Sequence, residues 1–293
     1  MKYKRIGITV KSGLDYKNEA VERVVKILTD LGMEILMDAK RTKELSSASN
    51  FGIFKSEEEI DVLIVLGGDG TILRAVRDLE TFSTPILSIN RGTVGFLAET
   101  ELEEVEELLP KLLNGEGVLE ERSILKVQAF RDGKELHSGF ALNEAVIAQG
   151  TIARLVDLRT SINGEPLTSF HADGLIISTP TGSTAYSLAA GGPIVHPLLP
   201  STILTPINPH SFSQKPVVIP SNQEIEVEVL TKSNKFQDTE VVLTLDGQVY
   251  IPLKNGDTVK ACACGDSVQF LRRKQDTFFG TLREKLKWGE RVD

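Results

Sequence analysis

No stretch of the sequence approaches the roughly 18 uninterrupted apolar residues of a membrane span, and the apolar segment at the N-terminus is too short for a signal peptide. The chain has only two cysteines, Cys262 and Cys264, among 293 residues, which excludes a disulfide-rich scaffold. They stand two apart on one face of a predicted strand, a spacing that disfavours a bridge between them and favours small core residues. These absences predict a cytoplasmic protein with no membrane partner.

The chain also lacks positive charge and several well-known enzyme motifs. Its formal net charge is −8, which argues against a general binder of nucleic acid or of anionic membranes, although local clusters of Arg and Lys can still hold phosphates. No Gly-x-x-x-x-Gly-Lys-Ser/Thr loop is present, and no Gly-x-Gly-x-x-Gly follows the first strand, which excludes a P-loop enzyme and disfavours a Rossmann dehydrogenase. Neither His-Glu-x-x-His nor Gly-x-Ser-x-Gly occurs. His137, His196 and His210 form no spaced metal set, so the metal ligands stay unknown.

Two different hydrophobic periodicities divide the sequence. Up to about residue 115, apolar strands alternate with helical patterns, which is typical of a doubly wound, mostly parallel sheet. From about residue 122, period-two runs such as Ile225, Val227 and Val229 between glutamates predict largely antiparallel strands, with Asp-Gly and Asn-Gly turns between them. We therefore predict an α/β N-terminal domain over residues 1–117, a β-rich dinucleotide-binding domain over 118–272, and a C-terminal helix in 273–293 that packs back on the first domain.

The most informative segment is a buried strand that runs into a glycine-rich loop. Val62 to Leu66 are all apolar, and Gly67, Gly68, Asp69, Gly70 and Thr71 follow them directly. Open α/β sheets bind ligands at the carboxyl ends of their strands. Glycines let the backbone approach a ligand, and the amides of a helix that opens at Thr71 can face phosphate oxygens. The segment predicts a phosphate loop, and an ordinary strand-to-helix turn is the alternative.

A second segment combines an apolar strand with a loop rich in hydroxyl groups. Seven of the ten residues from 178 to 187 carry a hydroxyl. Packed hydroxyls and free backbone amides suit sugar hydroxyls, adenine edges and phosphates, whereas the alternative is a solvated linker. Asn143 and Glu144 interrupt another apolar strand, where two polar residues are costly to bury unless they are paired.

Together these segments resemble the NAD kinase family over nearly the whole chain. The resemblance is carried by Gly67-Gly68-Asp69-Gly70-Thr71, by Asn90-x-Gly92-x-x-Gly95-Phe96-Leu97, by Asn143-Glu144, and by the stretch from Asp173 to Gly192. Diacylglycerol kinases, sphingosine kinases and phosphofructokinase share the Gly-Gly-Asp-Gly element, whereas Thr-Pro-Thr-Gly-Ser-Thr-Ala-Tyr is far more specific. The family fold, an α/β domain followed by a β-rich domain, agrees with the two periodicities.

The resemblance implies transfer of the ATP γ-phosphoryl group to the 2′-hydroxyl of the NAD adenosine ribose, with NADP as the product. It implies ATP as the donor, a divalent metal such as Mg²⁺, and a homodimer or homotetramer. Asp69 is then the base that accepts the hydroxyl proton. The phosphate loop comprises Gly67, Gly68, Gly70 and Thr71. The implied NAD-binding residues are Asp69, Gly70, Arg74, Asn143, Glu144, Arg154, His171, Asp173, Thr181, Thr184, Ala185, Tyr186, Ser187, Leu188, Ala189 and Gln248.

Several of these residues also allow a purely structural interpretation. Asp69 is then a helix cap, Arg74 a solvated surface cation, and Tyr186 a core tyrosine with one hydrogen-bond partner. Asn143 and Glu144 then mark a bulge or an exposed edge. Gln248 is as consistent with an ordinary exposed strand residue as with a ligand contact.

His171 departs from the family pattern, because arginine is common at its position. Histidine is mostly neutral near pH 7, so we expect this position to affect discrimination between NAD and NADH. Two other functions share parts of the pattern. One is a lipid kinase that uses the same glycine-rich loop, and the other is a non-catalytic dinucleotide sensor. The hydroxyl-rich loop argues against the first, and the carboxylate of Asp69 argues against the second.

Overall fold

The structure, a computed structural model, forms two compact units. It describes residues 1–10, 19–40, 51–90, 95–97, 100–150, 155–230, 241–263, 265–274 and 277–287. The first unit comprises Met1–Glu121 and Val268–Asp293, and the second comprises Arg122–Ser267. Among the described residues, no helix combines the length and the apolar character needed to cross a membrane.

Twenty strands and five α-helices are described. The strands are β1 Arg5–Val10, β2 Glu34–Asp38, β3 Gly52–Phe54, β4 Val62–Leu66, β5 Ile86–Asn90, β6 Thr100–Glu101, β7 Val118–Ser123, β8 Leu125–Arg131, β9 Lys134–Ala141, β10 Glu144–Gln149, β11 Val156–Ile162, β12 Glu165–Ala172, β13 Gly174–Ser178, β14 Ser201–Ile207, β15 Val217–Pro220, β16 Ile225–Leu230, β17 Val241–Leu245, β18 Val249–Leu253, β19 Thr258–Cys262 and β20 Ser267–Arg272. The helices are α1 Glu19–Asp30, α2 Asp69–Asp78, α3 Val105–Leu113, α4 Tyr186–Ala189 and α5 Phe278–Leu286.

The first unit is built on an eight-stranded sheet in the order β3-β2-β1-β4-β5-β20-β7, with β6 paired to β5. Strands β1 to β6 and β20 pair in parallel. The chain moves outward from β1 through β2 to β3, and then resumes with β4 on the other side of β1. The carboxyl ends of β1 and β4 therefore flank a topological switch point, where open sheets of this kind bind ligands.

The core of the first unit follows from the apolar runs. All five residues of β4 are buried, as expected for a strand covered on both faces. Helix α1 buries Val21, Val24 and Leu28 at helical spacing. It ends where Gly32 adopts φ +67° and the Met33 amide donates to the Leu28 carbonyl at 2.9 Å, a glycine-based helix end.

The second unit consists of two six-stranded sheets, and every pairing described in them is antiparallel. Their orders are β15-β14-β13-β10-β17-β18 and β12-β11-β16-β19-β8-β9. Alternate residues of both sheets meet in one apolar core, and Ile225, Val227 and Val229 are fully buried in it. The predicted period-two pattern of β16 and the predicted fold class are thereby confirmed.

The turn signals are confirmed as well. In Asp132-Gly133, Asn163-Gly164 and Asp246-Gly247, both residues have positive φ, between 49° and 81°. Two-residue hairpin turns of this type need left-handed backbone at both central positions, which Asn, Asp and Gly tolerate.

Three predictions about the chain differ from the structure. Strands β7 and β20 lie in the first sheet, so the β-rich unit is shorter at both ends than residues 118–272. The reason is that β20 pairs in parallel with β5, and its Leu271 packs in the first core. Helix α2 begins at Asp69, two residues before Thr71. Cys262 is disulfide-bonded, whereas the sequence predicts a small core residue without a bridge. That prediction assumes a strand that continues past Cys262, but β19 ends at this residue. Cys264 lies outside the described residues.

Candidate functional site

The first candidate site is the carboxylate of Asp69 at the carboxyl end of β4. Asp69 is the first residue of α2, and Gly68 is the residue that caps this helix. The Asp69 carboxylate accepts hydrogen bonds from the backbone amides of Phe96 at 3.0 Å and Leu97 at 3.3 Å. Asp69 does not occupy the cap position, so the interpretation of this residue as the helix cap is wrong.

A glycine makes this arrangement possible. A Cβ atom at Gly95 would lie 1.9 Å from Oδ1 of Asp69 and 2.3 Å from its Cγ. Every other residue type would therefore displace either the carboxylate or the loop. The loop is also fixed from the sheet, because the Ser88 hydroxyl donates to the Leu97 carbonyl at 2.9 Å. The carboxylate is thus held in one orientation by the backbone that follows β5.

The glycine-rich loop itself is built on β4 and β5. The Gly67 amide donates to the Ile89 carbonyl at 3.0 Å, and the Thr71 amide donates to the Gly68 carbonyl at 2.8 Å. Beyond their chain neighbours, Cβ atoms at Gly68 and Gly70 would meet no described atom within 4 Å. Packing against the described residues therefore does not require glycine at these two positions.

Arg74 lies one turn into α2 and is half-buried. Its Nη2 donates to the carbonyl oxygen of Val10 at 2.9 Å. Since Val10 is the last residue of β1, the guanidinium group lies at the switch point between β1 and β4. This contact differs from the interpretation of Arg74 as a solvated surface residue. Residues 91–94 of the second glycine-bearing loop, including Gly92, lie outside the described residues.

The second candidate site surrounds Asn143 and Glu144. The prediction that both residues lie inside one strand is wrong, because β9 ends at Ala141 and β10 begins at Glu144. The two strands belong to different sheets, so Leu142 and Asn143 form the corner at which the chain passes from one sheet to the other. The corner accounts for the break in the apolar pattern, because its backbone is no longer paired within a strand.

One carboxylate holds this corner. Asp246 accepts from the amides of Leu142 at 2.9 Å, Asn143 at 2.8 Å and Glu144 at 3.0 Å. Its own amide donates to the Glu144 carbonyl at 3.0 Å. The sequence predicts only a turn at Asp246. Its position beside Gln248 was a signal that the turn contributes to a site, but nothing in the sequence connects it with residues more than a hundred positions earlier.

Glu144 is buried, with 7% of its surface exposed. Its Oε2 atom has no hydrogen-bond partner among the described residues, and the backbone amide of Tyr186 donates to its carboxyl group. Burial, and then the negative charge of Asp246, raise the pKa of Glu144 to about 8, although the Tyr186 amide acts in the opposite direction. Glu144 is therefore a neutral carboxylic acid near pH 7.

The hydroxyl-rich loop packs against the same corner. The Thr179 hydroxyl donates to the Leu142 carbonyl at 2.6 Å, and the Thr179 amide donates to the Asn143 carbonyl at 2.9 Å. A Cβ atom at Gly182 would lie 2.1 Å from the Asn143 carbonyl oxygen, so this close approach requires glycine.

Several of the hydroxyl groups of this loop bind other groups of the protein. The hydroxyl groups of Ser187 and Thr205 are 2.9 Å apart, and Ser187 is fully buried. Thr184 donates to the Thr181 carbonyl at 3.2 Å. Tyr186 is 46% exposed, which differs from the interpretation as a core tyrosine. Ala185 and Leu188 are half-buried, and Ala189 is exposed.

The remaining predicted residues are separated from Glu144 in the sequence, and three of them have described hydrogen-bond partners of their own. His171 Nδ1 is 2.6 Å from Asp157 Oδ1, and the Asp173 carboxylate accepts from Asn208 Nδ2 at 2.9 Å. Gln248 is exposed, and its amide donates to the Leu245 carbonyl at 2.9 Å in the turn between β17 and β18. Arg154 lies outside the described residues.

Comparison with known proteins gives the same result for both halves of the chain. Residues 6–117 match the model of the ATP-NAD kinase N-terminal domain, and residues 142–273 match that of the ATP-NAD kinase C-terminal domain. An NAD kinase of Geotalea daltonii is 39% identical over 270 residues, which cover 92% of this chain and 93% of the relative.

Two solved structures are also similar. Yeast NADH kinase complexed with NADH has a TM-score of 0.85 and 26% identity, and the match covers 99% of this chain and 89% of the yeast chain. An NAD kinase from Archaeoglobus fulgidus in complex with ATP has a TM-score of 0.74 and 27% identity, with coverage of 97% and 98%.

Proposed function

Because this chain belongs to the NAD kinase family, we propose that it transfers the γ-phosphoryl group of ATP to the 2′-hydroxyl of the NAD adenosine ribose. The observation that supports this most directly is the fixed carboxylate of Asp69 beside the glycine-rich loop. The matched relatives are named for NAD or NADH as the phosphorylated substrate, and this favours a dinucleotide acceptor over a lipid.

Asp69 accepts the proton of the 2′-hydroxyl as phosphoryl transfer proceeds. Two amide donors fix its orientation, and an ionised carboxylate is a group that can accept the proton of a hydroxyl. Phosphoryl transfer depends mainly on positioning and on charge neutralisation. A base that cannot rotate away from the hydroxyl therefore contributes by orientation as well as by proton acceptance.

ATP is the phosphoryl donor, and its phosphates bind at the glycine-rich loop. The amides at the start of α2 and the partial positive charge of the helix N-terminus suit phosphate oxygens. Among the described residues, no group of three His, Cys, Asp or Glu side chains forms a metal cage. This fits Mg²⁺, which typically rests on one or two carboxylates, water and the substrate phosphates. When bound, it would neutralise phosphate charge, and the carboxylate of Asp69 would be one of its ligands in the glycine-rich loop.

NAD binding involves Asn143, Glu144 and the exposed part of the loop around Tyr186. The family resemblance supports adenosine contacts by Asn143 and Glu144, and the structure gives Glu144 a buried carboxyl oxygen that no described residue uses. We extend the proposal to Asp173 and His171 at the nicotinamide end, and to a homodimer or homotetramer as the assembled form.

The test is NADP formation from ATP and NAD by the wild type and by Asp69→Asn. General-base catalysis typically contributes about 10²- to 10⁴-fold, so we expect kcat to fall by at least 10²-fold with little change in melting temperature. The control is Asp78→Asn at the other end of α2, where the partner Lys40 is 3.6 Å away on the surface; its kcat should stay within about twofold of the wild type.

Three outcomes separate the candidate functions. A wild type that binds NAD but never forms NADP would indicate a sensor. Phosphorylation of diacylglycerol in place of NAD would indicate a lipid kinase. Near-normal turnover by Asp69→Asn would remove Asp69 from the proton transfer and leave the kinase assignment intact.

A further inference from the structure

Asp246 has a bonding pattern that its position in a hairpin turn does not require. Its carboxylate accepts from three consecutive amides, those of Leu142, Asn143 and Glu144. Hydrogen bonds to an ionised carboxylate are roughly twice as strong as those between neutral groups. Another Asp-Gly turn, at Asp132, has the same φ of 50°, so the turn conformation alone does not explain this set of contacts.

The side chain of Glu144 faces few groups that favour its charged form. It lies opposite Ser178 in the pairing of β10 with β13, and Ser178 is also fully buried. Neither Oε2 of Glu144 nor the Ser178 hydroxyl has a hydrogen-bond partner among the described residues. The groups that act on Glu144 are the Tyr186 amide, which favours the anion, and the Asp246 carboxylate, which opposes it. No described cation forms an ion pair with Glu144.

We propose that Asp246 is a positioning residue that fixes the Asn143–Glu144 backbone and adds to the effect of burial on the Glu144 side chain, which stays neutral, so that Glu144 donates a hydrogen bond to the bound dinucleotide. The inference rests on the proposed function, in which Asn143 and Glu144 bind the adenosine part of NAD. The atom that Glu144 recognises is then an acceptor, such as a ribose oxygen or an adenine nitrogen. An ionised glutamate would instead require a donor.

This protonation state predicts how NAD binding changes with pH. Protonated Glu144 predominates below its pKa of about 8, so NAD affinity should be constant below that pH and should weaken as the pH rises through it. Asp246→Asn removes the opposing charge while keeping one acceptor oxygen for the amides. In this variant the anion of Glu144 forms more readily, and the weakening should begin at a lower pH.

The experiment measures NAD dissociation constants by calorimetry without ATP, and KM and kcat for NADP formation, from pH 6 to 9.5. We expect the wild-type dissociation constant and KM for NAD to rise up to about tenfold per pH unit above the pKa. Glu144→Gln, which stays neutral and keeps a donor, should lose this dependence. Asp246→Asn should shift this midpoint to lower pH, with the change appearing in the dissociation constant and the KM for NAD rather than in kcat at saturating NAD. The matched control is Asp132→Asn, which should follow the wild type.

Two results would overturn the inference. One is a Glu144→Gln variant that keeps the wild-type pH dependence. The other is an Asp246→Asn variant with an unchanged midpoint and an unchanged KM. Failure of the proposed function gives a different result, because the wild type would then form no NADP at any pH or would show no calorimetric binding of NAD.

Discussion

Replacement of Gly95 by alanine tests whether the Asp69 carboxylate must be held in its observed position. The added methyl carbon would lie 1.9 Å from Oδ1, 2.3 Å from Cγ and 2.5 Å from Oδ2 of Asp69. Ordinary carbon contacts begin near 3.5 Å. The carboxylate or the loop that carries Phe96 and Leu97 must therefore move by more than about 1 Å, and the two amide hydrogen bonds cannot both survive.

The size of the effect follows from this displacement. A misplacement of about 1 Å in a reacting group costs roughly 10²-fold in rate, so we expect kcat for NADP formation to fall about 100-fold at saturating ATP and NAD. Overpacking of this kind typically destabilises a protein by about 1–3 kcal/mol. Thermal unfolding measured by circular dichroism should show this smaller loss separately from the loss of rate.

Gly7→Ala is the matched control, because it creates a clash of similar origin away from Asp69. Its Cβ would lie 2.6 Å from Cδ1 of Ile60, the flexible end of an apolar side chain. We expect a lower melting temperature with kcat within about threefold of the wild type. A Gly95→Ala variant that keeps more than about a third of the wild-type kcat would show that the Asp69 carboxylate need not be held in this position. A Gly7→Ala variant that loses as much activity at a comparable stability would show the same.

Two further substitutions test the second unit. The pKa of the buried Glu144 carboxyl is raised from 4.5 to about 8 in the folded protein. Its contribution to the free energy of unfolding is therefore complete below pH 4.5 and is lost as the pH rises to about 8. At about 1.4 kcal/mol per pKa unit, the free energy of unfolding should change by an amount on the order of 5 kcal/mol. Urea unfolding should show this change in the wild type and not in Glu144→Gln. Equal pH dependence of the two proteins would contradict the prediction. Ser183→Ala removes the acceptor of the Val195 amide, which is 3.0 Å away, and we expect a loss of about 1–3 kcal/mol. The exposed Ser211→Ala is its control, and equal stability of the two variants would argue against a scaffold role for Ser183.

The fold class followed from local patterns. The continuous apolar run of β4 and the alternation of Ile225, Val227 and Val229 with glutamates each select one kind of strand, because burial on two faces and on one face leave different sequence periods. The positive-φ turns followed from the Asp-Gly and Asn-Gly pairs for an equally local reason. The boundaries of the β-rich unit did not, because the pairing of β20 with β5 joins residues far apart in the chain.

The candidate site was predicted in part. The glycine-rich loop and Asp69 are contiguous in sequence, so the sequence predicts that both follow β4 directly. The donors that fix Asp69 come from Phe96 and Leu97, and no local pattern signals where a backbone amide will point. The sequence predicts the hydroxyl-rich loop as a unit, but it does not show which of its hydroxyls face inward. Ser187 faces inward because it pairs with Thr205 in β14, which is distant in sequence.

The sequence by itself determined the strand and helix pattern, the turn positions, and the identity of the acidic residue in the glycine-rich loop, because each depends on neighbours within a few positions. Only the tertiary structure decided that Asp246 holds Asn143 and Glu144, and that Glu144 is a neutral acid. Those properties depend on burial and on a charge about a hundred residues away in the chain. Electrostatic interactions act through space, and the chain order does not record the distances on which they depend.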